Sequence, residues 1–188
     1  MSKQHGYDFE KEIGKSLELL KTNSQKHKHM WYYKLVDTYA YDWIKDYLPD
    51  APQQLDVHRT AQSKYQMVLP KVPADYLVLH KGLTQYIECK SSRDTVGLPI
   101  ANIKPHQLEM SKDIEIAGAP YYFYICKREP RNNILYIVKA SVIRKLIDTL
   151  RNGKIVKSKI AWHLIKAHAE HVIPKSRGRV YELSEVYN

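Results

Sequence analysis

The chain has 188 residues, 44% of them hydrophobic, with 30 Lys and Arg against 20 Asp and Glu for a formal net charge of +10. That length suits one domain whose core holds without disulfides, and the two cysteines, Cys89 and Cys126, fall in predicted strands, reading as small buried groups in a reducing compartment. The positive excess points to a polyanion, DNA or RNA, as partner. No apolar run reaches membrane-spanning length, and the start Met1-Ser-Lys-Gln-His5 lacks a signal peptide's hydrophobic region. An intracellular, cytoplasmic, nucleoid-associated protein without membrane contact is expected.

Taken in chain order, the elements alternate as in an α/β protein. Residues 5–21 read as a helix with Phe9, Ile13, Leu17 and Leu20 on one stripe. Segment 30–64 carries Trp31-Tyr32-Tyr33, Tyr39, Tyr41-Asp42-Trp43 and Pro49-Asp50-Ala51-Pro52, and then Tyr65–Leu69 reads as a strand. Asp75–His80 and Gln85–Lys90 are strands around the turn material Lys81-Gly82-Leu83-Thr84. A loop through Ser91-Ser92-Arg93-Asp94 follows. Lys104–Ala117 reads as a helix with Pro105 in its first turn and Gly118-Ala119-Pro120 at its end. Pro120–Cys126 and Ile134–Val138 are strands, and the near-continuous apolar run of the first predicts burial on both faces. Helices are expected over Ser141–Leu150 and Lys159–His171. After Arg177-Gly178-Arg179, a last short strand is expected over Val180–Leu183.

The hairpin carries the chemistry. If its tight turn centres on Lys81-Gly82, the register sets Asp75 across from Glu88, with Cβ atoms about 5 Å apart. Side-chain alternation puts Lys90 on the face of Glu88, while Cys89 points away with Ile87. Two carboxylates opposed in a sheet repel unless something neutralises them, and a divalent cation with oxygen ligands does so. Lys90 then orients the attacking water or offsets charge in the transition state. This is the layout of a metal-dependent phosphodiesterase site. A surface hairpin with a charged face is the plainer reading of the same residues.

The surroundings of the hairpin add a resemblance. Gly6-Tyr7-Asp8-Phe9-Glu10 opens the first helix, Val72-Pro73-Ala74-Asp75 and Glu88-Cys89-Lys90 follow, and then comes Leu98-Pro99-Ile100-Ala101-Asn102-Ile103-Lys104-Pro105-His106-Gln107. In this order the pieces resemble the PD-(D/E)XK nuclease superfamily, and within it the RecU-type and archaeal Holliday junction resolvases. The resemblance covers residues 5–20 and 65–140. It implies a restriction-endonuclease-like fold, a central mixed β-sheet flanked by helices, and endonucleolytic cleavage of branched DNA by a homodimer using Mg²⁺, with Mn²⁺ substituting. It further implies that Asp75, Glu88, the Cys89 carbonyl and Glu10 ligate metal, and that Gln107 joins Asp75, Glu88 and Lys90 as a catalytic residue. Segment 30–64 has no counterpart and reads as an insertion within a nuclease domain spanning 1–188, with 152–188 as a basic C-terminal extension.

Other residues divide between solvated charge and DNA contact. Arg93, Lys104 and His106 flank the hairpin and the following helix, and Lys175, Arg177 and Arg179 form a basic arm suited to phosphate. Tyr32, Tyr33, Tyr39 and Tyr41, interleaved with Trp31, Trp43 and Lys34, suit stacking on unpaired bases as well as core packing. Among the histidines, His168 and His171 share helical spacing, but His163 is out of phase and zinc-type spacing is missing. Two rivals stand beside junction resolution: a restriction-like or repair nuclease on duplex or single-stranded DNA, and a DNA-binding module without catalysis. An intact Asp75, Glu88 and Lys90 set argues against the second.

Overall fold

Residues Gln4–Asn23 form helix α1 because their apolar side chains recur at helical spacing: Phe9, Ile13, Leu17 and Leu20 are all buried against one face of a β-sheet. The computed structural model describes residues 4–23, 27, 29–35, 72–130, 133–152, 158–175 and 180–187. Among these, strands β1 (Trp31–Lys34), β2 (Tyr76–His80) and β3 (Leu83–Ser92) lie side by side in one sheet. The short strand β4 (Gly97–Pro99) leaves it, and β5 (Tyr121–Lys127) and β6 (Ile134–Lys139) return to it. Strand β7 (Lys159–Ala161) pairs with β4, and β8 (His171–Pro174) closes the main sheet in the order β1-β2-β3-β5-β6-β8. Among the described strands only the β3–β5 pair is parallel, which the crossover through β4 and helix α2 (Pro105–Ile116) allows.

Helices α2, α3 (Ala140–Arg151) and α4 (Trp162–His168) pack on the face opposite α1 through Leu108, Ile114, Ile143, Ile147, Trp162 and Ile165. Strand β5 is the seam between the two cores. Tyr121, Phe123 and Ile125 face the three helices, Tyr124 and Cys126 face α1, and all five are buried. That is the two-sided burial its apolar run predicts. The α/β class and the central mixed sheet flanked by helices are as expected from the sequence.

The structure departs from the expected elements in three places. Trp31–Lys34 is an edge strand, antiparallel to β2, because Tyr32 alone of its aromatics turns inward: it packs on the Tyr76 ring at 6.4 Å and donates a hydrogen bond to Glu18 Oε2 at 2.8 Å. Residues 36–71, including Tyr39, Tyr41, Trp43 and Tyr65–Leu69, lie outside the described residues. The expected helix Lys159–His171 is instead β7, α4 and β8, since Ile160 is buried in a pairing with Leu98. His171 therefore sits on a strand, while the His168 Nδ1–H donates to the Leu164 carbonyl at 2.9 Å, so the two share no helix face. Val180–Leu183 is not a strand beyond a single Lys175–Tyr181 bridge. Tyr181 N–H donates to Ser16 Oγ at 2.8 Å, and Tyr181 and Leu183 both drop into the α1-side core, which alternation along a strand would also permit but the helix side chain pre-empts.

The β4–β7 pairing depends on Gly97. A Cβ there would lie 2.2 Å from the Ile160 carbonyl oxygen, a main-chain atom with no side-chain freedom to yield. Gly97→Ala is expected to cost about 3 kcal/mol by overpacking, lowering the thermal midpoint by about 6–12 °C. Thermal melting checks this, and an unchanged midpoint would mean that the two strands separate without loss.

Candidate active site

The hairpin that joins β2 to β3 turns at Lys81 and Gly82, with φ of 51° and 78°. Two consecutive positive φ values make a type I′ turn, whose twist suits a two-residue hairpin and pins the register. His80 pairs with Leu83 and Tyr76 with Ile87, so the ladder points Asp75 at Glu88 as the turn arithmetic requires. It stops one residue short. Asp75 N–H donates to the Ile87 carbonyl at 3.0 Å, and its carboxylate Oδ2 accepts the Cys89 N–H at 2.6 Å. Asp75 thus brackets Glu88 along the strand instead of pairing with it directly.

Alternation then sorts the site. Tyr76, Val78, Ile87 and Cys89 enter the α1-side core, so Asp75, Glu88 and Lys90 emerge on the opposite face. The Cys89 sulfur is thereby kept out of the site, and burial pushes its thiol far up. Glu88 is 2% exposed and intensively held: Lys90 Nζ and Gln107 Nε2 each donate to its Oε1 at 2.5 Å. The Tyr121 hydroxyl donates to the Pro73 carbonyl at 2.8 Å and lies 3.3 Å from Glu88 Oε2. One phenol therefore ties the loop before Asp75 to the second carboxylate.

Gln107 owes its place to helix capping. It occupies the third position of α2, where a Gln or Glu reaches back to the N-cap, and its Oε1 accepts the Lys104 N–H at 2.9 Å. With the oxygen fixed there, the amide nitrogen must point at Glu88. Gln107→Glu keeps the cap but replaces the donor with a like charge, so cleavage is expected to fall about 10- to 100-fold with little loss of helix stability. Parallel cleavage and melting measurements on Gln107→Glu and Gln107→Ala test it; equal activity in wild type and both variants would remove Gln107 from the site.

The electrostatics follow from burial. Desolvation, then the Glu88 charge, push the Asp75 carboxyl up to about 8, with Lys90 pulling the other way. Burial also raises Glu88 despite Lys90. For Lys90, burial alone would favour the neutral amine, but Glu88 and Asp75 outweigh it and hold the ammonium above its ordinary range. Glu10 adds like charge to Asp75 but does not gather with the pair; its Oε2 is bound to Lys34 Nζ at 3.1 Å. Among the described residues no three His, Cys, Asp or Glu side chains form a metal-holding group. The two carboxylates on this face are hard oxygens, which suit Mg²⁺ or Mn²⁺, while the Cys89 thiol faces the other core and offers no soft ligand here.

The remaining expected residues are scattered. Lys104 and Arg93 are exposed, the first at the start of α2 and the second beyond the end of β3, and His106 is half-buried one residue before Gln107. Lys175 lies on the other side of the sheet, paired with Glu12 at 2.8 Å and set over the Tyr181 ring at 5.9 Å. Arg177 and Arg179 lie outside the described residues. Two contributors escape a reading of the sequence. Lys34 reaches Glu10 only because β1 joins the sheet, and Tyr121 reaches Glu88 only through the parallel β3–β5 register that pairs it with Tyr86. A tyrosine opening a strand directly after Pro120 is the one local hint.

No family model matches the sequence, and no curated protein matches it. Among solved structures, the chain is similar to Hjc, a Holliday junction resolvase from the archaeal hyperthermophile Archaeoglobus fulgidus, at 15% identity and a TM-score of 0.36. The likeness covers 56% of this chain and 77% of that one. Among the described residues, no helix is long and apolar enough to cross a membrane.

Proposed function

We propose that the chain is a divalent-cation-dependent DNA endonuclease of the PD-(D/E)XK type, acting at the face that bears Asp75, Glu88 and Lys90. The observation that carries this reading is a buried carboxylate held by both Lys90 and Gln107, with Asp75 beside it and raised by burial and then by the Glu88 charge. A core gains little from such an arrangement, since burying paired ions roughly breaks even against apolar packing. A cation site needs it.

Asp75 and Glu88, with the Cys89 carbonyl, would hold the cation, which would supply Lewis-acid polarisation of the scissile phosphate and a more acidic water. The protein's own groups do the rest. Lys90 remains an ammonium, so it meets negative charge building on the phosphate and does not serve as a base. Gln107 fixes the Glu88 rotamer from α2, and Tyr121, kept protonated by burial, holds the loop that carries Asp75. Burial and the Glu88 charge favour the protonated Asp75 carboxyl near neutral pH, so it would give up that proton to ligate a cation. The net charge of +10, with Arg93 just past β3, Lys104 and His106 at the start of α2, and Lys175, Arg177 and Arg179 in the C-terminal stretch of the sequence, draws the DNA backbone.

The finer reading is resolution of four-way DNA junctions by an intracellular, nucleoid-associated homodimer, two copies of one nuclease domain presenting sites to opposed strands. A restriction-like or repair nuclease shares the chemistry and differs in substrate. Cleavage of a labelled four-way junction beside matched linear duplex, with Mg²⁺ and with Glu88→Ala as control, separates them. Junction-selective cutting lost in Glu88→Ala supports resolution, and equal cutting of both DNAs removes the junction from the reading.

A further inference from the structure

We propose that the outer face of β1 is a stacking platform for an unpaired nucleobase, so that the substrate carries single-stranded nucleotides next to the cleaved phosphate. This rests on the nuclease reading and specifies its substrate. Along β1, Tyr32 faces α1, so Tyr33 takes the opposite face, while the Trp31 ring, at the start of the strand, meets Lys21 of α1 at the sheet's edge. Trp31 pairs with Leu79 and Tyr33 with Leu77, which in turn pair with Thr84 and Tyr86 on β3. Leu77 and Leu79 alternate in phase with Asp75, and Tyr86 with Glu88 and Lys90. Among the described residues, the sheet face that bears the carboxylates and the ammonium therefore leads through Leu77 to Tyr33, with Trp31 at its edge. The Leu35 N–H bonds the Asp75 carbonyl at 2.8 Å, which anchors the register at the site itself. Strand geometry then puts the Tyr33 backbone about 8 Å from that of Asp75 and Trp31 about 14 Å away, within reach of nucleotides adjoining a phosphate held at the carboxylates.

Among the described residues these rings stand out. Trp31 is 55% and Tyr33 51% exposed, whereas Phe9, Tyr76, Tyr121, Phe123, Tyr124 and Tyr181 are buried. Two large aromatics left half in water two positions apart on an edge strand form the kind of patch that marks a binding surface. Charge selects the partner. Lys21 Nζ stands 4.8 Å from the Trp31 ring centroid, and the chain as a whole is strongly basic, which suits a polyanion with flat rings. In a duplex each base is covered by its neighbours, so only an unpaired base offers a free face to Trp31 or Tyr33.

The test is fluorescence-anisotropy binding, with EDTA present so that no cleavage is needed, of a duplex ending in splayed single-stranded arms and of a blunt duplex of equal length. Wild type is expected to favour the splayed DNA. Trp31→Ala and Tyr33→Ala should each weaken splayed-arm binding about 5- to 100-fold while leaving the blunt duplex within about twofold, and Trp31→Phe should restore most of the loss. Equal losses on both DNAs, or no loss on either, would overturn the platform. So would a change from dimer to monomer in Trp31→Ala by sedimentation, which would make β1 a contact between copies. A protein that binds splayed arms through Trp31 and never cuts them would retain the platform and lose the nuclease reading.

Discussion

Asp75→Asn is expected to reduce DNA cleavage at least about a thousandfold and, in the same metal-free protein, to raise the melting temperature at pH 8. The two effects have one cause. Burial and the Glu88 charge lift the Asp75 carboxyl from its ordinary 3.8 to about 8 in the folded state. Below the unfolded value both states hold the proton and the group costs nothing. Between the two values the unfolded chain ionises while the folded protein keeps its proton, so the unfolded state binds fewer protons and stability falls as pH rises. Above about pH 8 the whole penalty is present. Asparagine keeps an oxygen for the Cys89 N–H and carries no charge, so it removes the penalty and the ligand together. The expected gain is about 5–10 °C at pH 8, with almost none at pH 4. Calorimetry in EDTA at both values checks it; a variant melting below wild type at pH 8 would show that Asp75 is a structural carboxylate.

Lys90→Met is expected to cost about 3–5 kcal/mol, because it strands the nearly buried Glu88 carboxylate without its ammonium. Gln107 Nε2 remains but brings no charge. Adding Glu88→Gln should restore most of that stability, since Gln107 still has an oxygen to bond and no buried ion is left. Neither protein should cut DNA. The signature is thus a double variant more stable than the Lys90→Met single, with both inactive. Urea unfolding resolves it: a Lys90→Met protein as stable as wild type, or a double variant less stable than the single, would mean that the ion pair is not what holds these side chains.

The hairpin was legible because its information is local. Lys81 and Gly82 set a two-residue turn, and from there counting outward aligns Asp75 with Glu88 and alternation selects Lys90. Strand β5 was legible for a similar reason, as an apolar run needs no partner to announce two-sided burial. What escaped depends on distant pairing. Trp31–Lys34 has only one inward aromatic, and its partner strand Tyr76–His80 comes more than forty residues later, so nothing nearby marks it as an edge. β7 is three residues long and exists because Gly97 lets another main chain close in, which helical periodicity through Trp162 and Ile165 conceals. Within the candidate site, Gln107 was found by resemblance, while its physical reason, a helix N-terminus that spends the amide oxygen and aims the nitrogen, emerges only with α2 in place. Glu10 shows the converse. It flanks the buried stripe as expected, but Lys34, delivered by the unforeseen strand, takes its carboxylate.

The most direct measurement is nicking of covalently closed circular DNA by the purified chain, with Mg²⁺, with Mn²⁺ and with EDTA, beside Glu88→Ala. Strand breaks with either cation, none with EDTA and none with Glu88→Ala are the predicted result. Circles that stay closed with both cations while the protein is bound to them would contradict catalysis at Asp75, Glu88 and Lys90.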